Sequence, residues 1–592
     1  MRTTFSLLIS CVLAAALSLF SLIAQAQDVQ PSAVTEAPNA PAQATDAHPG
    51  TILEVKDAPA LTVSIRSANA ALKAADATIS KISEPTLKLY TGVLRLYLSK
   101  NGPLGGLDLD KPIGLIIDPQ YGAAAVFPVQ NWETIQKNLS KEGTLTTLED
   151  NRFKFTQENE EVFLLLQDNW LAVSTDSDSP ILKAIPQPCL GSIEQLSKIY
   201  LVGAAVNSSR MTAQDLNELL KALQTQMEDA LSFEGALSDV FKKQIQAVTD
   251  SISQSLKRYQ KDHLTFLLGL NFNPQSGFKL DVALCTDPET ETAKQFSQYK
   301  SSTTHLAGFY NPGSAAALSV SSQGRLAIFN NQQETFKALQ SEINKQIEKK
   351  YTDERKKNEV KRFADALTAI VAKTFSDSNN ETSITVLAEP EHGATVLAAV
   401  FCKDAQEIEN MLFDFIKNEI LSGSKTMYSC YNGSKRNAAI VNDVKIHTLT
   451  FTLSKEDKNY ELWRKLLNSD DVVIAFGFGK NIVCVSVGAD SLNQLKAALE
   501  KNGPAQASPI FQYNVQYGTL ARFIEAYNLL SENDAEDFAK FKKTMGKQFN
   551  SPCQKTSVLF VEQTPSACAI RYQEEIPFDV IKFVTKLMKL GE

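Results

Sequence analysis

Three stretches of the chain share one pattern: "LIIDPQYGAAAVF" (115–127), "LNFNPQSGFKLDV" (270–282) and "VLAEPEHGATVLA" (386–398). Each is an apolar run, a polar residue, Pro, two variable residues, Gly and a second apolar run. Pro119, Pro274 and Pro390 pre-set φ for the first corner of a type I turn, and Gly122, Gly277 and Gly393 admit the left-handed backbone that returns the chain. Each stretch therefore predicts a β-hairpin with a four-residue loop. A looser version stands at 308–320, "GFYNPGSAAALSV". A chain that commits to hairpins in this way is bound to antiparallel sheet.

The segment after each hairpin also recurs. Asn131 opens "NWETIQKNL", Asp287 opens "DPETETAKQF" with Pro288 at the favoured first helical position, and Asp404 opens "DAQEIENMLFDFI" with Glu407 placed for a capping box. The end of the chain, from "SVLFVEQTP", has the same outline. A second unit, two strands and then a helix starting near Asp178 or Asp490, occupies 164–185 and 474–499. A third, an apolar strand leading to a long helix, starts at 198 and at 509. The units come in the same order in both halves, so the expected fold is α+β with two tandem similar domains. Each consists of antiparallel β-hairpins with helices packed on one sheet face, and long amphipathic helices are added to them. The first α+β repeat is expected at 51–303 and the second at 304–592, with a helical insertion at about 331–376.

In that insertion an apolar stripe (Phe336, Leu339, Ile343, Ile347, then Val360, Phe363, Leu367, Ile370) is broken by "TDERKKNE", Thr352–Glu359, which has no apolar group. One straight helix through Phe375 would run roughly 65 Å, long for a domain, which favours a helical hairpin. A comparable amphipathic stretch runs from Thr212 to Tyr259.

The N-terminus gives an address. Arg2, a long apolar run and Ala24-Gln25-Ala26 form a secretory signal peptide over 1–26, with cleavage expected after Ala26; a retained anchor is the competing reading. Residues 27–50 are rich in Ala, Pro, Gln and Thr and lack bulky apolar groups, so they read as a disordered leader. No later segment has the length of apolar chain a spanning helix needs, so no transmembrane segment is expected in the mature chain. A net charge of −8 without a basic block argues against a nucleic-acid partner. Of eight cysteines, Cys11 leaves with the signal, and seven remain. Cys189, Cys430 and Cys553 lie in loop-like contexts, where export permits at most one disulfide.

Chemistry is harder to find. Glu389, Glu391 and His392 crowd into four positions, as metal ligands or acid–base groups would. However, the sister turns carry Gln120-Tyr121 and Gln275-Ser276 where this one has Glu391 and His392, which marks them as tip decoration. His48, His263, His305, His392 and His447 are never three to five residues apart, so helical His-pair metal motifs are absent. There is no G-x-S-x-G elbow, and "FGFGKN" (476–481) joins two strands where a phosphate loop would need a helix N-terminus. Catalytic, cofactor-binding and metal residues are accordingly expected to be none, and the chain is expected not to be an enzyme.

"GGLDLDKPIGLIID", "VFPVQNWETIQKNL", "VCVSVGADSLNQLKAALEKN" and "IFQYNVQYGTLARFIEA" resemble recurring segments of large exported α+β proteins of planctomycete-type bacteria. The resemblance covers most of the chain after residue 51. It implies export and internal duplication, and it transfers no catalytic residue. The expected role is a non-enzymatic periplasmic or cell-envelope protein that binds or scaffolds, its partner an envelope protein or an amphiphilic ligand. The alternatives are an envelope hydrolase with a dispersed site and an amphiphile or lipid carrier.

Overall fold

The computed structural model describes residues 58–82, 85–102, 104–158, 160–212, 261–297, 303–321, 352–376, 378–389, 393–402, 405–417, 431–453, 460–527, 553–563 and 567–580, with a few isolated positions between. The signal and leader segments, most of the 212–259 stretch, Cys430, and Pro390, Glu391 and His392 lie outside the described residues. In chain order the first half contains β1 (Leu61–Ile65), α1 (Ala68–Ile82), α2 (Pro85–Leu98), β2 (Ile113–Asp118), β3 (Gly122–Pro128), α3 (Trp132–Glu142), β4 (Thr144–Thr147), β5 (Arg152–Gln157), β6 (Glu160–Gln167), β7 (Trp170–Ser174), α4 (Gln187–Ile199), β8 (Val202–Asn207), β9 (Thr265–Asn273), β10 (Gly277–Thr286) and α5 (Glu291–Ser297). The rest contains β11 (Thr303–Thr304), β12 (Ala316–Ser321), α6 (Glu354–Ser376), β13 (Ser378–Glu389), β14 (Gly393–Cys402), α7 (Ala405–Phe415), β15 (Tyr431–Val441), β16 (Val444–Thr452), α8 (Tyr460–Leu467), β17 (Asp471–Phe478), β18 (Ile482–Gly488), α9 (Ser491–Lys501), β19 (Gln506–Ala507), β20 (Phe511–Gln516), α10 (Tyr517–Ala526), β21 (Gln554–Gln563) and β22 (Cys568–Pro577). No described helix is long and apolar enough to cross a membrane.

Among the described residues, the fold is mixed α+β around one 20-stranded antiparallel sheet. From one edge, β4, β5, β6, β7, β3, β2, β1, β8, β9 and β10 pair in succession. From the other edge the series is β15, β16, β17, β18, β14, β13, β12, β20, β21 and β22. The two series meet where β10 pairs with β22 over ten residues, from Gly277 opposite Pro577 to Thr286 opposite Cys568. This pairing makes residues on both sides of position 303 parts of one sheet. β11 and β19 form a separate two-stranded ladder.

All three Pro-x-x-Gly hairpins form. Asp118 pairs with Gly122, Asn273 with Gly277 and Glu389 with Gly393, and the three glycines have φ of +81, +125 and +87°. The polar residue before the proline has a use that the pattern alone does not assign. Asp118 Oδ1 accepts the amides of Gln120 and Tyr121, and Asn273 Oδ1 those of Gln275 and Ser276, which locks each tip as an Asx turn. The looser fourth copy differs. A 3₁₀ turn, Ala307–Phe309, precedes its proline in place of a strand, and only β12 comes after it.

The helices cover both sheet faces, which corrects the one-face expectation. Adjacent residues of one strand point to opposite faces. In β7, Ala172 packs with Ile193 of α4 while Leu171 packs with Ile135 of α3. In β14, Ala399 packs with Leu495 and Leu499 of α9 while Val400 packs with Ile408 and Leu412 of α7. Two-sided cover is why strands such as β3, "GAAAVFP", read as continuous apolar runs rather than alternating ones. Burying a Leu or Ile side chain fully is worth about 1.5–3 kcal/mol, so each of these helix contacts adds appreciably to the sheet.

Some helix starts move. Asn131 caps α3 as expected, its side chain accepting from Thr134 N at 2.9 Å. Asp287 does not start its helix: its carboxylate accepts from Glu289 N in a turn, and Thr290 Oγ1 caps α5 by accepting from Ala293 N. In the insertion, Glu348 pairs with Lys357 and Lys361. In one straight helix those residues would stand about 14 and 20 Å further along the axis, so Glu348 and the start of α6 do not belong to one straight helix. "ERKKNE" forms the first turns of α6.

Candidate functional site

Among the described residues, three clusters of titratable side chains include a histidine or a buried ion pair near the sheet, and the one around His305 borders a cavity. The first is built where the short β11 leads into the 3₁₀ turn. Glu381 stands in β13 beside a register irregularity, and its carboxylate is buried at 5% exposure. It accepts from Thr304 Oγ1 at 2.8 Å, from the His305 backbone N, and pairs with His305 Nδ1 at 3.0 Å. The His305 ring lies flat on Phe401, centroids 4.1 Å apart and planes 8° apart. Stacking and the carboxylate together fix the ring, so Nε2 is the nitrogen left for a ligand.

His305 borders a cavity of about 230 Å³. Its apolar wall comes from Val444, Ile482 and Leu499, and its polar rim from Asn442, Asn481 and Asn502. Asn502 is committed to the scaffold: its amide donates to the His305 carbonyl and its Oδ1 accepts from Gly308 N. Asn442 sits in the two-residue turn between β15 and β16, where Asn442 and Asp443 have φ of +49 and +62°. It donates to Leu499 O at 2.8 Å and so closes one side of the cavity. At about 30 Å³ per water, the space holds roughly eight waters, or one polar ligand of sugar or amino-acid size. The rim presents amides and one imidazole. Amides neither ionise nor attack, so the rim binds through hydrogen bonds, and no serine or cysteine is among the lining residues. Among the described residues no group of three or more His, Cys, Asp or Glu could hold a metal ion.

The second place is His447 in β16, buried against Glu409 of α7. His447 Nδ1 accepts from Asn437 N at 3.1 Å, which puts the proton of the neutral ring on Nε2, 3.2 Å from Glu409 Oε1. Burial pushes the His447 pKa below its ordinary value, against the pull of Glu409. Phe413 meets the ring edge-on, and the Arg436 guanidinium covers Phe413 at 3.8 Å. The third place lies at the β10–β22 joint. Tyr200 lies over Gly269, where a Cβ would come within 2.0 Å of its ring, and its hydroxyl donates to Asp281 Oδ2 at 2.7 Å. Arg571 stands 3.6 Å from Asp281 and 3.0 Å from Glu562. Both of these clusters are closed by packing and serve the fold. A larger open depression of about 440 Å³, lined by Arg464, Lys465, Asn468, Asp470 and Tyr527, has Arg464 tied to Glu461 and Asp470 tied to Tyr460.

No site residue is expected from the sequence, and His305 and Glu381 escape it for a plain reason. They stand 76 residues apart, with no local motif joining them. One weak signal exists: Glu381, Ser383 and Thr385 place polar groups at alternate, buried positions of β13. Of the EPEHG turn, Glu389 is the last residue of β13, while Glu391 and His392 fall outside the described residues. Cys189, expected in a loop, is a buried free thiol of α4, and Cys553 is buried as well. The chain matches no known protein family, no curated protein and no solved structure.

Proposed function

We propose that the protein is exported to the periplasm or cell envelope and acts there by binding or scaffolding, without catalysis, and that the His305 cavity takes a small neutral polar ligand. The observation that carries the reading is the rim chemistry: one oriented imidazole among asparagine amides, with no nucleophile or second carboxylate facing it. The hydrolase alternative needs such a group.

Support for a scaffold comes from the sheet. At about 4.8 Å per strand, twenty strands extend roughly 90 Å along the hydrogen-bonding direction. Open twisted sheets seldom exceed about ten strands, and here two series of ten are joined at β10–β22. Strand for strand, both series keep one pairing plan, which supports a tandem duplication as their origin. The signal-like N-terminus supports export, with mature protein starting at Gln27.

The test has two arms. Envelope fractions of the producing cell are probed for the protein and its N-terminal residue. Purified protein and a His305→Ala variant are then assayed on chromogenic ester, phosphate, glycoside and peptide substrates. The expected result is envelope location and no turnover by either form, with native mass spectrometry showing a bound small polar molecule that an Ile482→Trp variant excludes. Turnover that disappears in His305→Ala would replace the binding reading with the hydrolase one.

A further inference from the structure

Helix α2 is amphipathic in the wrong direction for a surface helix of a soluble protein. Val93, Leu94, Leu96 and Tyr97 remain 44, 44, 70 and 50% exposed. At 100° per residue they project over an arc of about 160°. On the opposite side Thr91 is buried, and Arg95 forms an ion pair with Asp76 of α1. The side of the helix that carries Thr91 and half-buried Leu98 is thus turned inward, and the arc of Val93, Leu94, Leu96 and Tyr97 faces solvent.

The charge around it is also out of character with the chain. From Arg66 to Lys100 there are six basic residues (Arg66, Lys73, Lys81, Lys88, Arg95 and Lys100) and two acidic ones, Asp76 and Glu84, a net of +4 in a chain of net −8. Spacings of seven or eight residues among the first five disperse them, so they form no block in the sequence, yet all six side chains are exposed on or beside the α1–α2 pair.

We propose that α2 is a membrane-surface helix that lays its apolar stripe into the interface of an anionic lipid bilayer, with the basic residues of the α1–α2 pair adding electrostatic attraction to the headgroups. A basic helix with a continuous apolar face and too little length to span is the chemistry of interfacial binding, and no described helix is able to cross. A second copy of the chain fits less well. A 14-residue helix is about 21 Å long, and its four exposed side chains cover far less than the roughly 800 Å² per partner of a stable interface. Pairing would also bring two basic segments together. Lipid binding by α2 uses no property of the His305 cavity, so either role can fail alone.

The experiment mixes the full chain with vesicles of phosphatidylcholine alone or with about one third phosphatidylglycerol, each containing a lipid that forms a carbene in its acyl chain on illumination. Trypsin cleaves after Lys88, Arg95 and Lys100, so residues 89–95 and 96–100 are read as separate peptides, apart from the apolar N-terminus. The expected result is carbene insertion in both peptides with anionic vesicles only, lost at high salt. A Leu94→Ser/Leu96→Ser variant should lower insertion there by about tenfold or more. Lys88→Glu/Lys100→Glu, which leaves the apolar stripe intact, should weaken it on anionic vesicles, so a folding failure of the first variant does not decide the matter. No insertion in these peptides, equal insertion with neutral vesicles, or self-association of the full chain that the Leu94→Ser/Leu96→Ser change abolishes would each overturn the proposal.

Discussion

Gly122 and Gly393 occupy the same place in sister hairpins with nearly the same backbone, φ of +81 and +87°, yet their surroundings differ. An alanine Cβ at Gly393 would stand 2.4 Å from the backbone oxygen of Leu466, near the end of α8, and 3.1 Å from Ala489 Cβ. At Gly122 the nearest atom, at 2.2 Å, is the hydroxyl of Ser179, which can rotate away. Left-handed backbone costs a non-glycine residue about 1–2 kcal/mol, and this term is common to both sites. Overpacking against a fixed backbone adds about 1–3 kcal/mol, and this term belongs to Gly393 alone. Gly122→Ala should therefore cost about 1–2 kcal/mol and Gly393→Ala about 2–5 kcal/mol. A chain of this size need not unfold in one step, so native-state hydrogen exchange read on β3 and β14 is the appropriate assay. A difference between the two variants below about 0.5 kcal/mol, the scatter of unremarkable substitutions, would refute the packing of α8 on the second hairpin. A larger loss at Gly122 would do the same.

Three further outcomes are expected from the buried groups. Burial tends to raise the Asp118 pKa, but the Arg210 hydrogen bonds at 3.0 and 3.1 Å and the amides of Ala60 and Gln120 outweigh it and hold the carboxyl below its usual range. This stabilisation is full above the ordinary carboxyl pKa of about 4 and is lost as pH falls through the folded value; Arg210→Ala should remove about 1–3 kcal/mol at neutral pH in urea melts. His447 titrates earlier: its lowered pKa means that stability is full above about pH 6.5 and drains as pH falls below it, and His447→Gln should flatten the part of a stability profile below that pH. Burial pushes the Cys189 and Cys285 thiols up to about 12, so iodoacetamide near neutral pH should leave both unmodified in the native protein and alkylate them in urea; native alkylation at a rate near that of a free thiol would contradict their burial.

How much of the fold is legible in the sequence depends on how local the determinant is. The hairpins are readable because Pro and Gly dictate backbone geometry within five residues. The helix start at 287 misleads because two capping residues compete there: Asp287 is spent on the amide of Glu289, and Thr290 and the distant Asp262 take the amides of Ala293 and Thr292. The two-sided sheet is in principle readable, since "TFLLGLNF" and "GAAAVFP" lack the alternation of a half-exposed strand, but the one-face expectation sets that signal aside. Continuity of the sheet is not readable at all. The pairing of β10 with β22 joins residues about 290 positions apart, and no periodicity encodes a partner at that distance. The same holds for His305 and Glu381, whose meeting depends on β11 being held against β19 near the far end of α9.

Among the described residues the sheet has two edges, β4 and β15, and an edge strand offers unpaired backbone groups to any other strand. The edges are protected differently. β4 is only four residues, "TLTT", mostly exposed and polar. β15 is eleven residues long and would be a hazard if flat. It is not flat: its register slips between Tyr431 and Gly433, where φ is +136°, and again between Lys435 and Ala439. In the second bulge Asn437 takes a left-handed backbone, and its amide turns inward to His447 Nδ1 instead of lining the edge. That hydrogen bond requires an unprotonated Nδ1. A buried histidine held neutral by its surroundings thus maintains the irregularity that keeps the longer edge from pairing. Protonation has a direct consequence: Nδ1 becomes a donor facing a donor, the bulge loses its anchor, and the strand is released toward the straight form that other strands add to. Acid should therefore expose this edge before it unfolds the Asp118 hairpin, because an imidazole charges at higher pH than a carboxyl, and the Asp118 carboxyl is held down further by Arg210. Light scattering and hydrogen exchange on β2 and β3, taken together as the pH is lowered, should show self-association while that hairpin is still protected. Loss of hairpin protection ahead of any association would refute the role given to His447.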